Sequence, residues 1–269
     1  MRRFARAKAT GKGPLEWLGE NEFRVGDTSY VCHLNWVEEI ALRPRQLAIV
    51  KPRAMIERYV DLILASRPKN IVEIGIYKGG STALLAQLAE PDKLVAIDVR
   101  DQPVRELEDF IDRHGMRDTI DLEYGVHQAD VERVAAIVDR ELGGAELDLV
   151  VDDASHRLAG TRQTFHCLFP RLRPGGVYVI EDWSWAHVHA SVLIVPGPSL
   201  AALVFELTLA CAYAPGLVES VTVFDDSAIV RRGASPIGDE PFDISDCMDD
   251  LGREMVAAVS FDLARGAEA

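Results

Sequence analysis

Carboxylates cluster after two apolar runs in the second half of the chain. The sequence D-D-A-S-H at 152–156 comes directly after one run, and Glu181-Asp182 ends the next. Carboxylates held this close repel one another unless a cation or protons compensate, so the arrangement indicates a cation site. Asp153, Glu181 and Asp182 could supply oxygen ligands, and hard oxygen ligands favour Mg²⁺, Mn²⁺ or Ca²⁺. A metal there would lower the pKa of a bound hydroxyl and orient it for attack.

His156 is the candidate general base of this site. It lies three residues after Asp153, and histidine titrates near neutral pH, so it could take the proton that the hydroxyl loses. We therefore predict His156 and Asp153 to be catalytic. Asp152 is interpreted as a helix cap or a partner of the backbone, outside the metal shell.

A second candidate site lies earlier, in the sequence VEIGIYKGGST at 72–82. Glycines allow sharp turns and a close approach of a ligand to the main chain, and a helix that starts nearby offers free N–H groups. The pattern E-x-G-x-x-x-G differs from the G-x-G-x-x-G of pyrophosphate sites, and its leading acid suits a positively charged ligand such as the amino group of S-adenosylmethionine. The alternative is a turn needed only for packing. The cofactor residues predicted here are Glu73, Gly75, Tyr77, Gly79 and Ser81.

Three more cofactor contacts are predicted at later strand ends. Asp98 ends the apolar run at 93–98, and an acid at this point commonly binds both ribose hydroxyls. It follows Glu73 by 25 residues, close to the usual offset of one strand–helix unit. Gln128 could read the edge of the adenine, although its loop could also be a solvated polar turn. Asp153 is assigned to the cofactor as well as to the metal.

The elements that must position these residues alternate along the chain. Apolar runs predict strands, and the segments between them have helical periodicity, which together favour a Rossmann-like, doubly wound α/β sheet. Only Asp225-Asp226 separate the last two runs, so these predict an antiparallel hairpin. Seven strands that end in such a hairpin are typical of class I methyltransferases. The predicted strands are 70–75, 93–98, 119–124, 147–152, 176–181, 218–224 and 227–232, with helices at 80–89, 103–113, 130–142, 159–172 and about 199–213.

The ends of the chain are predicted to pack around this core as parts of one structural domain. Residues 1–66 form an N-terminal helical cap and an amphipathic helix at 45–66, residues 67–235 form the core, and the acidic tail 236–269 contains one helix near 246–260. Aromatic residues in the cap indicate a contact with the core or with a neighbouring subunit, so we expect a homo-oligomer.

The composition excludes several classes of partner. The net charge of −14 argues against broad contact with nucleic acid or with anionic membranes. The four cysteines are far apart and form no C-x-x-C pair, and the basic N-terminus is not followed by the apolar core of a signal peptide. No apolar stretch reaches the ~20 residues of a membrane span. We therefore expect a cytoplasmic protein.

Residues 70–185 resemble the metal-dependent sugar O-methyltransferases of macrolide biosynthesis, of the mycinamicin type, and bacterial relatives known as rhamnosyl O-methyltransferases. The resemblance rests on VEIGIYKGGST, on D-D-A-S-H and on LFPRLRPGGVYVIEDW at 168–183. It implies that S-adenosylmethionine is the methyl donor, with Mg²⁺ or Mn²⁺ as the metal. It also implies that Asp153, Glu181 and Asp182 hold this metal and that His156 is the general base.

The predicted reaction is metal-dependent transfer of a methyl group to a hydroxyl of a small, sugar-containing acceptor, a glycoside or a saccharide. The macrolide enzymes can carry a large extra N-terminal domain, whereas we expect only a short cap in this chain. Residues that bind the substrate lie in such caps and lids, so the resemblance does not identify the acceptor. Residues 183–200 would be the natural lid, in which Trp183 and Trp185 either contact a sugar or pack as core aromatics. The alternatives are a metal-independent class I methyltransferase acting on another nucleophile, a non-catalytic protein that binds S-adenosylmethionine, and a nucleotide-dependent dehydrogenase.

Overall fold

The computed structural model describes residues 14–34, 40–188, 198–238 and 241–259. Contacts divide this part of the chain into two compact units. The first contains the described residues up to Arg67, together with Lys78–Glu90 and Val104–Gly115. The second contains Pro68–Tyr77, Pro91–Pro103 and the described residues from Met116 onwards. The domain boundaries predicted after residues 66 and 235 stay a prediction.

The first unit is built on a four-stranded sheet in the order β1-β2-β3-β4. The first three strands pair antiparallel, and β4 pairs parallel to β3. Burial alternates along β3, as expected of a strand with one face towards a core. The strands are β1 (Glu16–Trp17), β2 (Glu22–Val25), β3 (Thr28–Cys32) and β4 (Gln46–Ile49), and the helices are α1 (Arg53–Ser66), α2 (Gly80–Ala89) and α3 (Arg105–His114).

The prediction of a helical N-terminal cap is wrong for the described residues. The aromatic residues that suggested a packed cap lie in or beside strands, where Phe23 stacks on Tyr30 at 4.8 Å between ring centroids. The helix predicted at 45–66 begins only at Arg53, because Gln46–Ile49 form a strand that is buried throughout. A short apolar run of this kind cannot be told from a helix by periodicity alone. Trp36 lies outside the described residues.

The second unit contains a seven-stranded sheet in the order β10-β11-β9-β8-β5-β6-β7. The five strands from β5 to β9 are parallel, and β10 and β11 form the antiparallel hairpin at one edge. This confirms the predicted α/β class, the strand count and the closing hairpin. The strands are β5 (Asn70–Ile74), β6 (Lys93–Asp98), β7 (Ile120–Tyr124), β8 (Leu147–Asp152), β9 (Leu172–Glu181), β10 (Val218–Val223) and β11 (Ser227–Arg232).

Helices of this unit pack on the sheet and on one another around a continuous apolar core. The central strands β5, β6 and β8 are almost wholly buried, which explains why they read as continuous apolar runs. None of the described helices combines the length and the apolar character that crossing a bilayer requires. The helices are α4 (Val131–Leu142), α5 (Leu158–Leu168), α6 (Trp185–Val188), α7 (Ala201–Tyr213) and α8 (Asp250–Val259).

Candidate active site

A cavity of about 240 Å³ opens at the carboxyl ends of the parallel strands. The chain leaves β5 towards β6 on one side, whereas β8 pairs with β5 on the other. Ligands of open α/β sheets bind at such a switch point, beyond the carboxyl ends of the strands. The predicted cofactor residues that line this cavity are Gly75, Tyr77, Asp98, Gln128 and Asp153.

The other predicted cofactor residues lie elsewhere. Glu73 is a fully buried residue within β5, and it is not among the described residues that line the cavity. Gly79 caps the start of α2 with φ +77°, and Ser81 lies in the first turn of that helix. Both belong to the first unit. Their contacts with a cofactor therefore stay predictions.

Gly75 occupies a place where no side chain fits. Its φ is +104°, and an added Cβ would overlap the carbonyl oxygen of Asp153 and lie 2.7 Å from the carbonyl carbon. Hydrogen bonds hold both segments: Gly75 N donates to Ile97 O at 2.8 Å, and Asp153 N donates to Ile74 O at 2.8 Å. The close approach of the two backbones is enough to explain a glycine at this position. This agrees with the alternative interpretation of the motif as a turn needed only for packing.

Asp98 is held in place by several donors at the floor of the cavity. Its Oδ2 accepts from the backbone N–H groups of Ile76 and Tyr77, both at 2.8 Å, and its Oδ1 accepts from Arg100 N at 2.8 Å and Arg100 Nε at 3.2 Å. Burial by itself would raise the pKa of Asp98. The hydrogen bonds from Arg100 and from the Tyr77 backbone outweigh burial and keep this pKa below its ordinary value. Asp98 is therefore a carboxylate at neutral pH.

Arg100 is a residue of this site that the sequence did not reveal. Its guanidinium donates to the carbonyl oxygen of Tyr77 as well as to Asp98, and it lies over the Tyr77 ring at 5.2 Å from the centroid. Tyr77 adopts φ +47°, an uncommon conformation for a residue with a side chain. The arginine thus fastens the turn after β5 to the end of β6. A basic residue two positions after an acid is too common a pattern to indicate this role.

Gln128 and Asp152 belong to a buried hydrogen-bond network. Gln128 Nε2 donates to Asp152 Oδ1 at 2.6 Å, and Tyr178 Oη donates to Asp152 Oδ2 at 2.9 Å. Gln128 Oε1 accepts from Ser155 Oγ at 2.5 Å. Burial, together with the nearby charge of Asp153, raises the pKa of Asp152 to about 7, although the hydrogen bonds from Tyr178 and Gln128 act in the opposite direction. Asp152 is thus bound by two side chains and by the backbone of Ala154, as one of the two predicted alternatives stated, and it does not cap the following helix.

The structure brings together Asp153, His156 and Asp182. One ligand atom of each lies within 4.8 Å of the others, and His156 Nε2 is 3.9 Å from both Asp153 Oδ1 and Asp182 Oδ2. All three side chains are partly exposed, so a ligand can reach them. Glu181 is the last residue of β9 and only 2% exposed, and it lies outside this three-residue cluster. Its role as a metal ligand stays a prediction.

Two residues of this cluster have backbone conformations that residues other than glycine rarely adopt. His156 has φ +52° and Asp182 has φ +54°. Each such conformation costs of order 1–3 kcal/mol and persists where the surrounding structure enforces it, often at functional sites. For Asp182 one such restraint is visible, because its N–H donates to Asp226 O in the β10–β11 hairpin at 2.7 Å.

The two tryptophans that follow Asp182 have different surroundings. Trp183 Nε1 donates to Phe224 O at 2.8 Å, and the ring packs against the apolar core. The Trp185 ring lies beside the His156 ring, with centroids 4.6 Å apart. Trp183 is therefore part of the scaffold, and Trp185 lies where a substrate would meet the candidate base. The predicted lid spans residues 183–200, of which residues 189–197 lie outside the described part of the chain.

A second group of carboxylates is not among the residues that line this cavity, and basic side chains pair with it. Asp121, Glu123 and Glu141 offer oxygens within 4.8 Å of one another. Lys93 Nζ bonds Glu141 at 2.8 Å, and Arg140 pairs with Glu141 and Glu123. Burial, and then the charges of Glu141 and Glu123, raise the pKa of Asp121 to about 6. The basic side chains already compensate this cluster, so it indicates no metal.

Comparisons of sequence match part of the chain to known methyltransferases. Residues 72–183 match a family described as methyltransferase domain. Demethylmacrocin O-methyltransferase of Streptomyces fradiae and mycinamicin VI 2''-O-methyltransferase of Micromonospora griseorubida are each 60% identical over 35 residues. That stretch is 13% of this chain and 9% of either enzyme, so the match spans a small part of these relatives. The predicted resemblance to macrolide sugar O-methyltransferases is confirmed.

Comparisons of structure find the same fold. MycE methyltransferase from the mycinamycin pathway, in complex with Mg, SAH and mycinamycin VI, has a TM-score of 0.52 at 24% identity over 66% of this chain. The match covers 49% of MycE, about half its length. The O-methyltransferase TomG from Streptomyces achromogenes, in complex with SAM, has a TM-score of 0.52 at 18% identity, over 71% of this chain and 83% of TomG. Residues 72–183 thus match the family described as methyltransferase domain, and the chain has the fold of class I methyltransferases.

Proposed function

We propose that this protein transfers a methyl group from S-adenosylmethionine to a hydroxyl of a small, sugar-containing acceptor, with a divalent metal and with His156 as general base. The observation that carries the proposal is the position of Asp153. This residue lines the cavity at the switch point of the sheet and also supplies one oxygen of the carboxylate–histidine cluster. A methyl donor in the cavity and a hydroxyl at the cluster would therefore meet at one residue.

The residues of the cavity suit the donor. Asp98 lines the cavity as an ionised carboxylate whose position is fixed by backbone donors at 2.8 Å, and ribose hydroxyls would bond it in place of the Arg100 side chain. Tyr77 is 36% exposed and lines the same cavity, so its ring would offer an apolar surface to a ligand. MycE and TomG were solved with SAH and SAM, which supports the same choice of cofactor here.

The cluster has the donor chemistry of a site for a hard divalent cation. Asp153 and Asp182 offer carboxylate oxygens, and Glu181 precedes Asp182 at the end of β9. Oxygen ligands of this kind favour Mg²⁺ or Mn²⁺. Such a metal, when bound, lowers the pKa of a coordinated hydroxyl. Mg in the MycE complex supports Mg²⁺ as the first choice.

His156 is the group of this chain that would accept the proton. Its Nε2 lies 3.9 Å from an oxygen of each aspartate, so a hydroxyl held between these side chains is within reach of the imidazole. The methyl donor is already activated by its sulfonium charge. The remaining work is to orient the hydroxyl, remove its proton and exclude water, and the neighbouring Trp185 ring helps to exclude water.

A glycoside acceptor is supported by the named relatives and by Trp185. The relatives include an 8-demethyl-8-alpha-L-rhamnosyl tetracenomycin-C 2'-O-methyltransferase of Streptomyces olivaceus, 44% identical over 54 residues. An indole ring beside the base offers an apolar surface to the C–H face of a sugar. The expectations of a homo-oligomer and of a cytoplasmic location stay predictions.

The test is methyl transfer to a panel of glycosides, followed by mass spectrometry of the products. We expect an acceptor to gain one methyl group, a chelator to abolish the reaction, and added Mg²⁺ to restore it. Asp182→Asn should lose activity at low metal, whereas Asp118→Asn, the same change at an exposed position, should behave as the native protein. Equal activity in chelator would instead support a metal-independent methyltransferase.

A further inference from the structure

We propose that Gln128 is a positioning residue for the metal and base site, not a reader of the adenine. It would act by holding the turn at 152–156, which we name the DDASH turn. The metal and base roles rest on the proposed function, whereas the mechanical role rests on the hydrogen bonds of Gln128 alone.

The amide of Gln128 is already engaged within the protein. Nε2 donates to Asp152 Oδ1 at 2.6 Å, and Oε1 accepts from Ser155 Oγ at 2.5 Å and from Ser155 N at 3.3 Å. A glutamine side chain has two N–H donors and two acceptor lone pairs, so three of these four are taken. Only 4% of the residue is exposed. To read an adenine edge as both donor and acceptor, Gln128 would have to give up a bond that its Oε1 accepts from Ser155.

Tyr178 and the start of α5 close two further sides of the network around Gln128. Tyr178, fully buried on β9, donates to the second oxygen of Asp152 at 2.9 Å. An added Cβ at Gly160 would lie 2.9 Å from both Gln128 Oε1 and Ser155 Oγ, so the first turn of α5 leaves no free space there. Three segments of the chain therefore meet at this amide: the loop after β7, the end of β8 and the start of α5.

Each of the two residues that Gln128 holds comes directly before one of the two residues that the chemistry needs. Asp152 precedes Asp153, and Ser155 precedes His156. His156 has φ +52°, a conformation that the surrounding structure must enforce. Because Gln128 fixes the first and fourth residues of the DDASH turn, it sets where Asp153 and His156 point. Loss of the amide would leave Asp152 Oδ1 buried without this donor and would release Ser155.

The experiment compares Gln128→Leu with Gln102→Leu, the same change at an exposed position of the second unit. The first readout is the His156 ring resonance in histidine-labelled, metal-free protein, identified by its absence from His156→Ala. We expect Gln128→Leu to shift or broaden this resonance and Gln102→Leu to leave it unchanged. This readout needs neither metal nor turnover, so it tests the positioning role even if the proposed function fails.

The second readout is calorimetry with SAH, then with Mg²⁺ in the presence of SAH. We expect Gln128→Leu to weaken Mg²⁺ binding by about 10–100-fold, the usual effect of removing a residue that orients metal ligands, while the Kd for SAH changes by less than about 3-fold. The opposite result, a loss of SAH affinity with an unshifted His156 resonance, would restore the adenine contact and overturn the inference. If Gln128→Leu does not fold, Ser155→Ala removes one bond of the same amide and should give the same pattern with smaller changes.

Discussion

Gly75→Ala tests whether the cavity and the DDASH turn depend on one close approach of the backbone. Gly75 is the first residue of the turn after β5, with φ +104°, and the added Cβ would overlap the carbonyl group of Asp153. Neither side can move freely, because Gly75 N bonds Ile97 O and Asp153 N bonds Ile74 O, both at 2.8 Å. The substitution must therefore strain this φ or separate the ends of β5 and β8.

The expected cost is the sum of two effects. A side chain forced into this region of φ costs about 1–3 kcal/mol, and overpacking a tight contact costs about 1–3 kcal/mol more. Gly143→Ala is the matched control: Gly143 also has a positive φ, +59°, at the end of α4, but an added Cβ meets nothing within 4 Å. That control should cost about 1–2 kcal/mol, the price of the left-handed conformation alone.

The assay is urea denaturation of both variants, followed by calorimetry with SAH. We expect Gly75→Ala to lose about 2 kcal/mol more of its free energy of unfolding than Gly143→Ala. We also expect it to bind SAH more weakly, because the shifted segments form the cavity wall. Equal free energies of unfolding, with native affinity for SAH in both variants, would refute the reasoning.

Three further substitutions test separate parts of the site and of the fold. His156→Ala should lower turnover by about 10²–10⁴-fold with an unchanged Kd for SAH, and native turnover would remove His156 as the base. Asp98→Ala should weaken cofactor binding by about 10–100-fold, because hydrogen bonds to a charged group contribute about 1.5–3 kcal/mol, and an unchanged Kd in calorimetry would place the ribose elsewhere. Asp121→Asn should stabilise the protein against urea at pH 8, with a gain that shrinks as the pH falls from about 6 towards 4. The folded pKa of Asp121 is raised from 3.8 to about 6, so the native state is penalised for ionising this carboxyl above that range and regains stability as it takes up the proton. A gain that does not depend on pH would contradict this.

Most of the seven-stranded sheet could be predicted from the sequence because its signals are local. Buried parallel strands read as apolar runs, and Asp225-Asp226 between two such runs marks the hairpin. The local signal fails for the strand Gln46–Ile49, because four buried residues in a row fit a helix as well as a strand. Its identity depends on pairing with β3, more than ten residues away, and the sequence does not display that pairing.

The candidate site could be located from the sequence but not resolved in detail. Parallel strands end at one edge of the sheet, so the position of Asp153, Asp98 and Asp182 near that edge followed from the order of the elements. The direction in which each side chain points could not be predicted from that order. Gln128 lies on the cavity wall as predicted, yet its amide points to Asp152 and Ser155, and Glu73 is buried inside β5. Such orientations depend on partners that lie far away along the chain.

The most direct test of the central claim is titration calorimetry of the native protein with S-adenosylmethionine, and then with Mg²⁺ in the presence of SAH. We predict that the protein binds the cofactor, and that it binds Mg²⁺ at one site which Asp182→Asn weakens and Asp118→Asn does not. Cofactor binding with no Mg²⁺ binding would contradict the metal site, and failure to bind S-adenosylmethionine at all would contradict the proposed function itself.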